Sequence, residues 1–415
     1  MSSKQSNLSL DNFPTDLITI ILSHLLVKSL LVCRAVCKTW RQIIDNPNFH
    51  QLHLLTSTTK SGNTSSSSSS YILLLSSDEI YIATEQQQEE EHEDNDDGKR
   101  VILRRIHATT KLDLLVCDKG KNCSIFLLHP PINGLMFYSH SMYYPTKYQN
   151  DFCMYICNPA IREYVKLPNI VFPNGGKSNL MNGFGFDIIN NKFKVVVIFV
   201  CLNGRWEPKS QVYTLGSNSW RTLQSKIPKI KSFKAGSAFV NGSLHWLTRV
   251  ESEDGLRSTM ILSFNLASED FGVISTSGFN FLSRESYLKA KNTINLVELG
   301  GCLSLVDSSS SHHINIWILK DYSVKTSWTG FSISKFSLDG IGRFEKVYVI
   351  SFRKNGEIIL LCDDSKLVSY NTETRNVMAL EVDGLGNTLE DGPKCFGSTL
   401  PYVESLISPK SASDL

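Results

Sequence analysis

The feature that most constrains this chain is a repeat of about 50 residues, each copy holding two tight hairpins. One hairpin type recurs as MYICNPAIREYVKLP, QVYTLGSNSWRTL, ILSFNLASEDFGVI, NIWILKDYSVKTSWT and KLVSYNTETRNVMAL. With Asn158, Gly216, Leu266, Lys320 and Asn371 as turn markers, the spacings are 58, 50, 54 and 51. Four copies set an aromatic just past the turn (Tyr164, Trp220, Phe271 and Trp328), and the fifth has Val377. A second hairpin type precedes each of these: LVCDKGKNCSIFLL, GFDIINNKFKVVVI, GSAFVNGSLHWLT, LVELGGCLSLVD and SFRKNGEIILLCD. Its turns use Asn190-Asn191, Asn241-Gly242, Gly300-Gly301 and Asn355-Gly356. Such residues accept the positive φ of tight hairpins. Two hairpins make a four-stranded unit, and a series of such units at this period matches propeller blades. Five units are visible. The leftover segments Tyr71 to Ile82, Val101 to Arg105 and Cys395 to Leu406 are expected to pair as a sixth, closing blade. An open stack of hairpins would leave many strand edges bare.

The 415 residues suffice for one small domain and one large one, and 41% hydrophobic content supports a sizeable core. A formal charge of +2 argues against a nucleic-acid binder. Glu85 to Asp97 holds eight acids and no Lys or Arg, so the remainder sums to +10 (42 minus 32). This tract and the run Ser65 to Ser70 cannot bury apolar area, and both read as mobile loops around one strand, Tyr71 to Ile82. The apolar run Val195 to Leu202 is too short to span a bilayer. The run Leu17 to Cys33 is broken by His24 and Lys28, and no signal-peptide core follows the polar start. A soluble protein, cytoplasmic or nuclear and without a membrane partner, is therefore expected. The ten cysteines are scattered, several in apolar runs (Cys201, Cys302, Cys362), as reduced buried thiols would be.

The first 55 residues differ from the rest by reading as helical. Asp11 or Asn12 can cap a first helix with Pro14 in its first turn. Leu17, Ile18, Ile21, Leu22 and Leu25 share one broad face. After Val27-Lys28-Ser29 a second helix is predicted to carry Leu30, Leu31, Arg34 or Ala35, Val36, Cys37, Trp40 and Ile44. It stops at Asp45-Asn46-Pro47. Roughly 45 residues cannot hide about ten large apolar side chains internally, so the surplus needs a cover. That cover is either the β domain or a partner.

The ordered residues Phe13-Pro14, Asp16, Leu17-Ile18, Ile21-Leu22, Val27-Lys28-Ser29-Leu30-Leu31, Val36-Cys37-Lys38, Trp40-Arg41 and Ile43-Ile44 resemble the F-box. Pro47, Phe49 and His53-Leu54 extend the match. Leu26, Val32 and Cys33 depart from the pattern, which has Pro, Arg and an aromatic there. The β region resembles the plant F-box-associated domain, related to kelch-type propellers, in NPAIREYVKLP, GFGFDIINNKFKVV, VYTLGSNSWR, FVNGSLHWLT and PYVESLISP. These resemblances imply a non-catalytic substrate receptor of a Skp–cullin–F-box ubiquitin ligase. It would bind a Skp-type adaptor and, through it, a cullin scaffold, and would present an unknown protein substrate. The adaptor would be held by Pro14, Leu17, Ile18, Ile21, Leu22, Leu25, Leu30, Leu31, Val36, Cys37, Trp40 and Ile44. Some members of the family are pollen determinants of self-incompatibility, a role that no residue here assigns.

The expected fold is thus α+β and multidomain. An all-α F-box covers 8–55, and a low-complexity segment with one strand covers 56–100. An all-β propeller, six-bladed, covers 101–406, and a tail covers 407–415. Rival chemistries fit less well. Cys33, Cys37, His50 and His53 imitate zinc spacing, but the last gap is short and both Cys fall in one predicted helix. Gly183 to Asp187 (GFGFD) precedes no helix, so it is no phosphate cradle. Asp187 with Asp363-Asp364 could suggest a propeller hydrolase, and His312-His313 a metal site, yet both read as turn residues. No cofactor or catalytic set is expected. Loops at Glu251–Arg257 and Phe279–Lys291 are candidates for substrate contact by length alone.

Overall fold

A computed structural model of the chain describes residues 14–60, 71–76, 79–92, 101–112, 123–126, 129–143, 150–172, 179–200, 207–233, 236–251, 257–276, 293–322, 327–341, 344–353, 355–383, 396 and 398–411. Four helices come first: α1 (Thr15–Ser23), α2 (Val27–Cys33), α3 (Lys38–Ile44) and α4 (Pro47–Lys60). Strands β1 (Tyr71–Ser76), β2 (Glu79–His92) and β3 (Val101–Lys111) follow. Blade 1 is β4 (Cys123–Phe126), β5 (Met136–Tyr143), β6 (Asn150–Asn158) and β7 (Glu163–Lys166). Blade 2 is β8 (Asn179–Asp187), β9 (Lys192–Val200), β10 (Lys209–Thr214) and β11 (Trp220–Leu223). In blade 3 the inner strand is interrupted, as β12 (Ile230–Phe233) and β13 (Ala238–Val240), before β14 (Ser243–Glu251), β15 (Arg257–Asn265) and β16 (Phe271–Ser275). Blade 4 is β17 (Ile294–Leu299), β18 (Cys302–Asp307), β19 (His313–Leu319) and β20 (Trp328–Ser334). Blade 5 is β21 (Val347–Phe352), β22 (Glu357–Cys362), β23 (Lys366–Asn371) and β24 (Val377–Asp383). The C-terminal β25 (Ser398–Tyr402) pairs antiparallel with β1, with Leu400 opposite Leu73. It thereby becomes the inner strand of a closing blade whose other three strands come from the N-terminal side. The fold is a six-bladed propeller behind a helical domain.

The ring is legible in which face each side chain takes. Along β9, Val195, Val197 and Phe199 pack toward blade 1, while Val196, Ile198 and Val200 pack toward blade 3. Along β22, Ile359 and Leu361 face the closing blade, and Ile358, Leu360 and Cys362 face blade 4. Along β1, Ile72 and Leu74 face blade 5, and Leu73 and Leu75 face blade 1. Side chains alternate with period two, so a strand sandwiched between two blades must be apolar on both faces. This is why VVVIFV reads as a continuous apolar run. Blades 3 and 4 share the sixth such cluster, around Leu247, Ile261, Leu303 and Leu305. Gly183 lets two blades approach closely: a Cβ there would stand 2.8 Å from the Trp246 ring.

The turn chemistry follows the sequence reading. Asn191, Asn241, Gly242, Gly300, Gly301 and Gly356 all have positive φ. Trp220, Phe271 and Trp328 each open an outer strand, and Tyr164 is second in its own. Trp220 and Phe271 meet a ring directly opposite across the ladder. Tyr213–Trp220 ring centroids lie 5.4 Å apart and Phe264–Phe271 4.7 Å apart. GFGFD is the end of strand β8, Asp363 and Asp364 form the β22–β23 turn, and Cys362 is buried.

Four expectations need correction. The second helix is two, α2 and α3, because Cys37 takes extended dihedrals and caps α3, its Sγ accepting the Trp40 amide at 3.5 Å. The stop at Asp45-Asn46-Pro47 is real, but Pro47 opens α4. Tyr71 to Ile82 is not one strand: the chain reverses after Ser76, and Leu75 pairs back with Ile80. The acidic tract is not wholly loop, since β2 runs to His92 with Glu89 in register with Arg104 of β3. There the backbone gains ladder bonds that a loop would lack. The rest of the tract and the serine run lie outside the described residues. In blade 1 the first hairpin turns at Asn133-Gly134, both with positive φ. The DKGKN part of the segment LVCDKGKNCSIFLL lies outside the described residues. One pairing was not expected: β3 also lies parallel to β24, with Leu380 opposite Arg104. This covers the outer edges of two blades that would otherwise be exposed.

Buried polar groups cross between blades. The Lys194 ammonium lies 2.8 Å from Asp187 and 3.0 Å from Glu269, and donates to the Leu266 carbonyl at 2.7 Å, joining blade 2 to blade 3. His129 Nε2 donates to Asn182 Oδ1 at 2.6 Å, and its Nδ1 accepts from Ser237. Burial pushes the His129 and His245 imidazoles down to about 4. Both are therefore neutral in the folded protein, whereas unfolded imidazoles take up protons below about 6.5. Stability is thus full above about pH 6.5 and declines as pH falls toward 4, by up to about 1.4 kcal/mol per unit per imidazole. Melting curves at pH 7 and pH 5 are expected to show a lower midpoint at pH 5, and a smaller drop in His129→Gln.

Candidate partner-binding surface

The helical domain has a small closed core and a large open face. Ile18, Leu22, Val27, Leu30, Ile44 and Phe49 form the core, with Leu25, Cys33, Trp40 and Ile43 packed at its edge. Pro14 stands at the N-cap of α1 with extended dihedrals, one residue before the first turn of helix. Histidines from α4 close the open ends of the shorter helices. His50 Nε2 donates to the Ile44 carbonyl at 2.8 Å, and His53 Nε2 to the Leu25 carbonyl at 2.9 Å. Carbonyls at helix ends lack intrahelical partners, so these bonds define where α4 lies. The zinc-like quartet is accordingly divided: Cys33 ends α2, Cys37 caps α3, and both imidazoles face backbone carbonyls. Arg34 clasps Asp45 through two bonds, 2.5 and 3.1 Å, tying α2 to the end of α3.

The twelve residues expected to hold an adaptor fall into two sets. Ile18, Leu22, Leu30 and Ile44 are buried, with Leu22 only 1% and Leu30 0% exposed. They build the module rather than its surface. Leu17 (49%), Ile21 (61%), Leu31 and Val36 (59%) are exposed, as is Pro14. Leu25, Cys37 and Trp40 are half-buried between the two. Five more large apolar side chains of the helices are also exposed, Ile20, Leu26, Val32, Leu52 and Leu55. Helical spacing missed them because they lie off the face that packs inward. For Leu26 and Val32 the signal was their departure from the F-box pattern. Of the eighteen exposed large apolar residues among those described, nine lie between Leu17 and Leu55. A concentration of apolar surface of this kind marks an interaction site.

The module is joined to the propeller through the chain's C-terminal end. Leu406 completes the helical core, beside Ala160 and Ile161 of the β6–β7 turn. Ile407 enters the blade 1–2 core, against which Leu54 packs. The buried Asn158 amide donates to the Ser405 and Ile407 carbonyls at 2.9 and 2.8 Å. At Gly134 a Cβ would fall 2.3 Å from Ser405 Oγ, so this crossing admits no side chain. Because strands alternate in direction, the β6–β7 turn and the turns between first and second strands share this face of the ring. The opposite face carries the loops between blades. Of the candidate loops Glu251–Arg257 and Phe279–Lys291, nearly all residues lie outside those described.

A small helical module with an uncovered apolar face, set on a closed propeller, has the form of a protein-binding module. The sequence profile of the F-box associated beta propeller domain matches residues 71–401, and that of the F-box domain matches residues 10–52. This chain belongs to the F-box proteins with an F-box-associated propeller, the architecture of a substrate receptor. It is 27% identical to the F-box protein At3g07870 of Arabidopsis thaliana, over 91% of this chain and 89% of that one. It is 25% identical to the F-box protein CPR1 of the same plant, over 66% of each. Among solved structures, the Penicillium chrysogenum alpha-L-arabinanase aligns at 11% identity with a TM-score of 0.39, over 75% of this chain and 92% of that one. A likeness so distant carries no argument about activity.

Proposed function

We propose that this protein is the substrate-receptor subunit of a Skp–cullin–F-box ubiquitin ligase, acting in the cytoplasm or nucleus. The observation that carries this reading is the exposed apolar face of Leu17, Ile21, Leu31 and Val36, on a module whose own core is already closed. That face takes a Skp-type adaptor and, through it, a cullin scaffold. The propeller's far face takes a target protein. Tethering does the work: a captured target's lysines gain a high effective concentration beside the ubiquitin-charged enzyme. The receptor itself needs no catalytic group.

The test is co-purification of the full chain with a Skp-type adaptor, followed by reconstitution with a cullin and a conjugating enzyme. Stable capture of the adaptor is expected; failure to capture any such adaptor overturns the reading. Deleting residues 1–54 discriminates a docking module from helices that merely prop the propeller. The six inter-blade clusters draw their buried residues from Ile72 onward, so a cooperative melt is expected to survive. Its midpoint should fall modestly, as Leu406 and Ile407 lose cover. A truncated protein that does not fold would assign the helices a structural role instead.

A further inference from the structure

The inner strands of blades 3, 4, 5 and the closing blade stand side by side around the propeller axis. Each runs from the far face toward the helical domain, so its first residues ring the far mouth of the channel. A cavity of about 260 Å³ opens there, lined by Ser237, Asn295, Tyr348, Asp364 and Thr399 among others. Sites for drug-sized molecules occupy about 300–1,000 Å³, so this one suits a single side chain.

Its chemistry is one-sided. Among the described lining residues Asp364 alone carries a charge. Asn295 Oδ1 and Thr399 Oγ1 are buried and have no hydrogen-bond partner among the described residues. Thr399 is only 3% exposed. Buried polar atoms are rarely left unpaired, because each has given up water. Tyr348 sets an aromatic ring beside them. Burial, and then the nearby Asp364 charge, push its phenol up, so it stays neutral. Lys346 approaches Asp364 at 3.8 Å, but both side chains are about two-fifths exposed (41% and 42%), and such pairs are readily exchanged.

Unpaired acceptors, a carboxylate and an aromatic face call for a cationic ligand rich in donors. A guanidinium has five N–H donors and no acceptor, and it stacks on aromatic rings. We infer that the channel mouth of this propeller is an arginine-reading pocket, which receives an arginine side chain of the protein to be captured. The inference rests on the substrate-receptor reading and names the chemistry that reading leaves open.

The test uses the full-length chain and a fluorescent heptapeptide, Gly-Ser-Gly-Arg-Gly-Ser-Gly, against the same peptide with citrulline for arginine. Citrulline keeps the shape and loses the charge. Anisotropy titrations are expected to show at least tenfold tighter binding of the arginine peptide, and about a tenfold loss in Asp364→Asn. Asp364 sits at φ 56, a conformation asparagine also accepts, so this variant keeps the turn. Thr399→Val, which removes only the hydroxyl, should weaken binding to a lesser degree; if it fails to fold, Asp364→Asn decides alone. Equal affinity for the two peptides, or full affinity in Asp364→Asn, overturns the proposal. Adaptor capture is measured on the same preparations. If it persists without an arginine preference, only the pocket falls; if it is absent while the preference holds, only the ligase reading falls.

Discussion

Replacing Leu17 and Ile21 together by aspartate is expected to abolish adaptor capture while leaving the melting curve unchanged. Both side chains are about half exposed or more in the isolated chain, so the folded state loses little. Covered by a partner, each contributes about 1.5–3 kcal/mol of apolar burial. Aspartate forfeits that and adds the cost of stripping water from an unpaired carboxylate. A combined loss of about 5 kcal/mol or more corresponds to over a thousandfold in affinity. Leu22→Ala and Leu30→Ala make the contrast. Both positions are sealed in the helical core, and truncation there costs about 2–5 kcal/mol of folding free energy. They should lose the adaptor too, but with a melted module. Normal capture by the double aspartate variant would place the adaptor on another surface.

Removing residues 396–415 is expected to abolish cooperative folding of the propeller. The cut takes away β25, and with it the partner edge of β1, where Leu73 and Leu74 now pair. It also removes the buried side chains of Phe396, Tyr402, Leu406 and Ile407. At about 1.5–3 kcal/mol each, four such side chains amount to about 6–12 kcal/mol. Whole domains are stable by only about 5–15 kcal/mol, so the loss is comparable to the total. Circular dichroism through a thermal ramp reads the outcome. A truncated chain that melts sharply near the wild-type temperature would show that β25 does not close the ring. Leu406→Ala, at the junction of the two domains, is a milder probe of the same segment.

Much of this was legible from local patterning. Turn residues such as Asn241-Gly242 and Gly300-Gly301 mark hairpins because they accept the required positive φ most readily. The aromatic after most second turns marks an outer strand because it packs against the side chain directly opposite on the neighbouring strand, as Trp220 does on Tyr213 and Phe271 on Phe264. What misled was local as well. The tract after Glu85 looks unable to fold, because burial is judged from side chains, whereas β2 is held there by backbone pairing with β3. The single second helix failed at Cys37, whose capping role needs Trp40 placed three residues on. Helical spacing likewise could not say which apolar residues of the first helices are sealed in and which stay open. That depends on where α4 and Leu406 cover them.

The sequence by itself determined the units: five four-stranded repeats, the turns that shape them, and an N-terminal segment carrying more apolar surface than it can hide. These properties act over a few residues or recur at a fixed period. Only the tertiary structure decided how the ring closes, which face the helical domain occupies, and which side chains remain for a partner. Those outcomes rest on contacts between residues hundreds of positions apart, such as Leu73 with Leu400 and Asn158 with Ser405 and Ile407. No pattern read along one stretch of chain contains them, because the burial that makes them favourable exists only once both ends have met.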